Sequence, residues 1–178
     1  TQTRFYGVPG SSDSACTTVA GSAAKNSSGN QINNGYFGQV QEIRDPNNAV
    51  TSAVYDIWGR LTGVWYPGDN QATHAATEQY TYTPYTSATS PFKVKQSHRD
   101  DMGGAAVPSY LDSYTFYDGL GRVIQSQGET DNGAGRMVVS TLHNEYGSVA
   151  ETNIPYQATG TPGVDYLGPS WTKPGTET

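Results

Sequence analysis

The sequence predicts an all-β fold, an array of antiparallel β-hairpin repeats that forms a twisted strip or shell segment. Short runs of alternating apolar and polar residues are separated by Gly, Asn, Asp and Pro, and helical periodicity is almost absent. The 178 residues include 21 Gly and 10 Pro, which supply turns. They also include 13 Tyr, 4 Phe and 3 Trp, so a chain that is only 34% hydrophobic is expected to order itself around thin aromatic layers.

Ten segments carry a strand pattern. In the segment 111–118, Tyr114 and Phe116 share one face while Ser113 and Thr115 share the other, so one face can pack and the other can meet water. The predicted strands are Thr3–Val8, Tyr36–Ile43, Thr51–Asp56, Arg60–Tyr66, Glu78–Thr83, Phe92–Gln96, Leu111–Asp118, Arg122–Gln127, Arg136–His143 and Ser148–Ile154.

A turn motif recurs between these strands. The first copy consists of Tyr55, Asp56, Gly59 and Arg60 followed by Leu61, and the second consists of Tyr117, Asp118, Gly121 and Arg122 followed by Val123. A third copy, over 143–149, keeps Asn144 and Gly147 but has His143 in the place of the Tyr. A fourth, over 34–40, keeps only Gly38 and the final Val40.

The chemistry of these residues explains why the motif suits a hairpin. An Asp or Asn side chain at the first turn position can accept a hydrogen bond from the backbone two residues on. The Gly then adopts a left-handed conformation, so we predict positive φ at Gly59 and Gly121 in bulged hairpins. A second kind of turn is predicted at three other places, Asp45-Pro46-Asn47-Asn48, Pro67-Gly68-Asp69-Asn70 and Asp131-Asn132-Gly133.

With its Y-D-x-x-G-R-[LV] motif, the chain resembles the RHS or YD-repeat family. The resemblance covers the segment 34–157, the YD-type hairpin repeats. Before it lies an N-terminal strand with a Ser/Ala/Gly-rich loop, 1–33, and after it a Pro/Gly-rich connecting segment, 158–178. Members of this family are large secreted or surface proteins, and their repeats form a β-sheet strip that in several cases encloses a toxin domain. The resemblance therefore implies an extracellular or cell-surface location and a structural role, and it transfers no catalytic residue.

Charge and composition restrict the partners. A formal net charge of −6 argues against nucleic acid, since the only basic cluster, Lys93, Lys95 and Arg99, is followed at once by two aspartates. No apolar run approaches the length of a membrane span. Cys16 has no second cysteine to pair with, and Asn26 lies in a triplet that fits a glycosylation acceptor.

Candidate chemistry is sparse, and we expect no enzyme activity, cofactor or metal. His98 begins a His-Arg-Asp tripeptide without the other parts of a kinase, and His74 and His143 lack a nearby second metal ligand. Glu129, Asp131 and Asn132 could offer oxygens to calcium, but their spacing fits no known loop. Trp58, Trp65, Trp171 and the tyrosines could stack on sugars, so a carbohydrate-binding adhesin is the alternative function, although most of these residues are expected to pack.

The expected partners follow from the strand edges of a hairpin array. An end strand presents unpaired N–H and C=O groups, and arrays normally protect such ends with polar caps. No such cap is visible, so we expect the ends to meet further repeats of a longer parent chain or identical copies joined end to end.

Overall fold

In a computed structural model, the described residues form strands and turns, with no helix among them. They are residues 2–5, 24–25, 31–32, 40–56, 58–100, 108–130, 133, 135–168 and 175–177. Every strand pairing is antiparallel, so the predicted fold class, an all-β array of antiparallel hairpins, is confirmed. The strands are β1 Gln2–Phe5, β2 Ala24–Lys25, β3 Gln31–Ile32, β4 Val40–Arg44, β5 Val50–Tyr55, β6 Leu61–Trp65, β7 Glu78–Thr83, β8 Phe92–Arg99, β9 Tyr110–Tyr117, β10 Val123–Glu129, β11 Arg136–His143, β12 Val149–Asn153, β13 Tyr156–Ala158 and β14 Gly175–Glu177.

The first of two compact units comprises residues 1–80 and 99–109. Its sheet has the order β1–β4–β5–β6–β7, and β2 pairs with β3 in a separate two-stranded ribbon. From β4 onward each strand lies beside the next one in the sequence, because each connection folds the chain directly back on itself.

The second unit comprises residues 81–98 and 110–178. Its strands follow the order β8–β9–β10–β11–β12–β14. β13 continues along β11 beyond the end of β12, with Val138 opposite Tyr156 and Arg136 opposite Ala158. The central strands β9, β10 and β11 carry most of the buried side chains of this unit, and Ser97 on β8 and Asn153 on β12 are also buried.

Each of the ten predicted strands overlaps one of the fourteen strands among the described residues. All ten predicted strands are present, and the bounds of Glu78–Thr83 and Arg136–His143 match. β8 runs to Arg99, three residues farther than predicted, and the short strands β2, β3, β13 and β14 were not predicted. Residues 6–8 and 36–39 of the first two predicted strands lie outside the described residues.

The buried side chains are more polar than expected. Among the described residues, the buried hydrophobic side chains are Trp65, Ala76, Phe116 and Val138. The prediction of thin aromatic layers was therefore incomplete, because the buried side chains include two aromatic rings and a larger number of hydrogen-bonding groups. The buried polar side chains are Ser97, Arg99, Gln125, Gln127, Arg136, Ser140 and Asn153.

Candidate functional site

The three motif turns have one geometry. In the second copy, Gly121 N donates to Asp118 O at 3.1 Å, and Asp118 N donates to Arg122 O at 3.0 Å. The Asp118 side chain accepts from the N–H groups of Leu120 and Arg122, both at 2.9 Å. The turns that begin at Asp56 and Asn144 repeat all four bonds within 0.2 Å.

The glycines of the motif adopt the predicted conformation. The φ angles of Gly59 and Gly121 are 76° and 77°, which confirms the prediction for both, and that of Gly147 is 83°. The strand register shifts beside each turn, so the hairpins are bulged as expected. The fourth sequence copy, over 34–40, lies outside the described residues except for Val40.

A further turn of this kind begins at Asp45, where the sequence predicted a different kind of turn. Asn48 N donates to Asp45 O, and Asp45 N donates to Ala49 O, both at 3.0 Å. Ala49 N donates to Asp45 Oδ1 at 2.8 Å, and Asn48 replaces the motif Gly with φ of 69°. The assignment to a second kind of turn was wrong here, because Asn tolerates the left-handed conformation well enough to take the place of Gly. This hairpin differs from the others in showing no register shift.

The motif arginine closes the turn on its side-chain face. Arg60 Nε lies 2.6 Å from Asp56 Oδ2, and Arg122 Nε lies 2.7 Å from Asp118 Oδ2. Partial burial acts to raise the pKa of the Asp118 carboxyl, but hydrogen bonds from the backbone and guanidinium of Arg122 and from Leu120 N–H outweigh it, and the pKa is lowered. The pKa of Asp56 is lowered by the same balance of burial against bonds from Arg60 and Trp58.

The motif tyrosines connect each turn to the sheet. The Tyr55 hydroxyl donates to Val40 O at 2.7 Å, and burial raises the pKa of this tyrosine. The Tyr117 ring lies 5.6 Å from that of Phe92, centroid to centroid, at an interplanar angle of 49°. Both side chains therefore act in packing and not as exposed chemical groups.

The residue before each motif Gly is large and exposed. Trp58, Leu120 and Tyr146 occupy this position in the three copies, and they are 70%, 79% and 85% exposed. Most of the aromatic residues were expected to pack, and Trp58, the third residue of its turn, is one that does not. The Arg60 guanidinium covers part of its ring at 4.8 Å from the centroid. Trp65 is buried as expected, with Nε1 donating to His74 O at 3.0 Å, and Trp171 lies outside the described residues.

In the first unit, a buried arginine holds the long loop 66–77. Arg99 donates to Asp69 Oδ2 at 2.6 Å and to Ala75 O at 2.5 Å, and its side chain is 6% exposed. Thr77 Oγ1 donates to the same Asp69 oxygen at 2.7 Å. Partial burial acts to raise the pKa of Asp69, but the bonds from Thr77 and Arg99 lower it.

In the second unit, a comparable arginine belongs to a polar groove on the sheet. The groove consists of Gln125 and Gln127 on β10 with Arg136 and Ser140 on β11, all at most 3% exposed. We call residues 159–168, which lie over it, the covering segment. Arg136 donates to Asp165 Oδ1 at 2.7 Å, and this bond is the main cause of the lowered pKa of the Asp165 carboxyl.

Sequence reasoning missed both buried arginines. The sequence placed Arg99 in a short basic cluster beyond the predicted end of its strand, whereas it ends β8 and is buried. The sequence does place these polar residues on common strand faces, because side chains two positions apart point to the same side. Ser97 and Arg99 share one face in this way, as do Gln125 and Gln127. Polar residues at alternate positions predict an exposed face unless another segment covers them, and here loops do so.

The other sequence candidates remain separate from one another. His98 is exposed on β8, and His74 Nδ1 accepts a hydrogen bond from Asn70 N at 3.1 Å. Within the part of the chain that the structure describes, no three His, Cys, Asp or Glu side chains gather as metal ligands would. The calcium candidates Asp131 and Asn132, the cysteine Cys16 and the acceptor Asn26 lie outside the described residues.

Comparison with known proteins found no matching protein-family model and no significant match among curated proteins. A search of the described residues also found no helix long and apolar enough to cross a membrane.

Proposed function

We propose that the chain is a non-enzymatic structural segment of a secreted or surface RHS/YD-repeat protein, acting as β-hairpin wall material of a shell or extracellular filament. The observation that carries this proposal is the repetition of one turn geometry at Asp56, Asp118 and Asn144, with a closely related turn at Asp45. A repeated hairpin connection allows a sheet to be extended unit by unit without a change of local structure.

The state of the polar groups supports a structural role. Asp56, Asp118, Arg99 and Arg136 are engaged in bonds that close turns or hold loops. These bonds occupy the lone pairs and protons that acid–base catalysis would use.

One trio comes nearest to a catalytic arrangement, and its charges argue against that role. Ser97 Oγ donates to Asp112 Oδ1 at 2.6 Å, and Lys95 Nζ lies 2.6 Å from the other carboxylate oxygen. Partial burial acts to lower the pKa of Lys95, but Asp112 and Tyr114 raise it, so the ammonium stays protonated and neutralises the carboxylate. The Asp112 carboxylate is therefore held by Lys95 on one oxygen and by Ser97 on the other, as in a structural ion pair.

Assembly tests the structural proposal. We expect the purified chain, or its parent chain, to form shells or fibres in electron micrographs and to scatter light increasingly with concentration. Gly121→Val, which disturbs a hairpin turn, should reduce assembly, whereas Gly119→Ala in the same turn should not. A monomer that persists at all concentrations would contradict the proposal, as would hydrolase turnover lost on His98→Ala.

The proposed location has its own test. Antibody against the chain should label intact source cells or detect the protein in the culture medium. Confinement of the protein to the interior of lysed cells would contradict a secreted or surface location.

A second candidate, an adhesin-like module that binds carbohydrate, is favoured by the exposed aromatic rings of Trp58 and Tyr146. Binding to a glycan array should then be lost on Trp58→Ala and kept on Leu120→Ala, which removes an exposed but non-aromatic side chain.

A further alternative is a toxin-encapsulating cocoon. In that case, the micrographs should show closed particles with internal density.

A further inference from the structure

The groove recognises the main chain of the covering segment. Gln125 binds both backbone groups of one residue, since its Nε2 donates to Leu167 O at 2.6 Å and its Oε1 accepts from Leu167 N at 3.1 Å. Gln127 Oε1 accepts from Gly163 N at 2.8 Å, and its Nε2 donates to Asp165 O at 2.9 Å. Two side chains on alternate positions of β10 therefore bind residues 163, 165 and 167 of an irregular segment.

The groove side chains are also bonded to one another, independently of their bonds to the segment. Gln127 Nε2 donates to Gln125 Oε1 at 2.6 Å, and Gln125 Nε2 donates to Ser140 Oγ at 2.9 Å. Arg136 donates to Gln127 Oε1 at 3.2 Å, which fixes the amide orientation that Gly163 meets. Such a network holds its donors and acceptors in place, and preorganisation of this kind favours binding.

Three features define which peptide fits. Position 163 must be Gly, because its φ is 75° and a Cβ there would overlap the Tyr114 ring. Position 165 must be acidic, because Arg136 is buried opposite it. Position 166 is aromatic, and its ring centroid lies 6.0 Å from that of Phe116. By contrast, Val164 is 71% exposed and adds no requirement.

We propose that this groove is a binding site for an acidic peptide of the form Gly-x-Asp-Tyr-Leu, and that its occupant in trans is the covering segment of a second copy of this chain. Main-chain bonds supply the general affinity, while the glycine and the aspartate supply the selectivity. The covering segment of the same chain makes the same bonds, so the two copies of the segment compete for one groove.

The test uses a labelled synthetic peptide of residues 159–168 and the full chain. Gly163→Val displaces the covering segment by overlap with Tyr114 and leaves the groove residues unchanged. We expect this variant to bind the peptide at least tenfold more tightly than the wild-type chain, whose own segment competes at high effective concentration. Gly168→Ala is the matched control, since its Cβ would meet nothing within 4 Å, and it should behave as wild type.

Changes in the peptide test the site without altering the fold of the protein. Asp165→Ala in the peptide should weaken binding at least tenfold, and Val164→Ser should leave it unchanged. A chain carrying Asp165→Ala offers a second open groove, because this side chain is 54% exposed and its loss creates no overlap. Failure of both open chains to bind, or equal binding of the two altered peptides, would overturn the proposal.

Discussion

The Asp118 carboxylate accepts two hydrogen bonds from Arg122. The backbone N–H of Arg122 donates to Oδ1 at 2.9 Å, and the guanidinium Nε donates to Oδ2 at 2.7 Å. Asp56 and Arg60 repeat this double contact at 2.9 and 2.6 Å. The carboxylate thus serves as a backbone acceptor inside the turn and as an ion partner outside it. In the third copy, the single side-chain oxygen of Asn144 accepts from the backbone and leaves no second oxygen to bind an arginine. The residue at the arginine position is accordingly Ser148.

The first prediction separates these two uses of the carboxylate. Asp118→Ala should destabilise the protein by about 1–2 kcal/mol, because it removes the acceptor of two turn N–H groups as well as the ion pair. Asp118→Asn keeps the acceptor and loses only a partly exposed ion pair, so it should cost less than about 1 kcal/mol. Urea unfolding measures both values. Equal losses for the two variants would contradict the assignment of the backbone bonds as the main contribution.

The second prediction concerns pH. The pKa values of Asp56, Asp69, Asp118 and Asp165 are lowered in the folded chain. Aspartates in the unfolded chain have a pKa of about 3.9, so the stabilisation that these four groups contribute is fully present above that pH. It is lost as pH falls through their lower folded-state pKa values. The urea midpoint should therefore be flat toward neutral pH and fall below about pH 4, less steeply in Asp118→Asn.

The third prediction isolates backbone conformation. Gly119 and Gly121 lie in one turn, and a Cβ on either would meet nothing within 4 Å, but only Gly121 has positive φ. Gly121→Ala should therefore cost about 1–2 kcal/mol from conformational strain alone, and Gly119→Ala less than about 0.5 kcal/mol. Gly121→Asn should fall between them, since Asn48 adopts φ of 69° at the equivalent position of another turn. Equal effects of the two alanines would contradict this account.

The sequence predicted the elements that depend on neighbouring residues. Period-two alternation located the ten strands, and the Asp-to-Gly spacing predicted the turn geometry, because strand faces and turns are determined within a few residues. The turn at Asp45 was misassigned because Asn48 stands where a Gly was required.

The anchoring of loops could not be predicted in this way. Asp165 and Arg136 are 29 residues apart, and Asp69 and Arg99 are 30 apart. Nothing in the local pattern of either strand shows which distant loop will cover a polar face. The sequence left open whether Trp58 packs, and this side chain is 70% exposed immediately before the motif Gly.

The fourth prediction concerns the pair that anchors loop 66–77. Asp69→Ala should destabilise the protein by about 3–5 kcal/mol, because it removes a carboxylate that forms an ion pair with the buried Arg99 guanidinium. The double variant Asp69→Ala with Arg99→Met should be more stable than Asp69→Ala alone, since methionine fills part of the space and brings no charge. A double-mutant cycle with Arg99→Met, measured by urea unfolding, gives the coupling energy.

The more exposed ion pair between Arg44 and Glu42 provides a comparison for the double-mutant cycle of Asp69 and Arg99. Arg44 and Glu42 lie 3.3 Å apart with 31% and 12% of their side chains exposed, against 6% and 14% for Arg99 and Asp69. Water screens the first pair more strongly, so its coupling should be below about 1 kcal/mol, while that of the second exceeds it. If the effects of Asp69→Ala and Arg99→Met simply add, the anchoring of this loop does not depend on the ion pair. Its stability would then come from the packing of Trp65 and Ala76 and from backbone bonds such as Thr77 N to Val64 O at 2.8 Å.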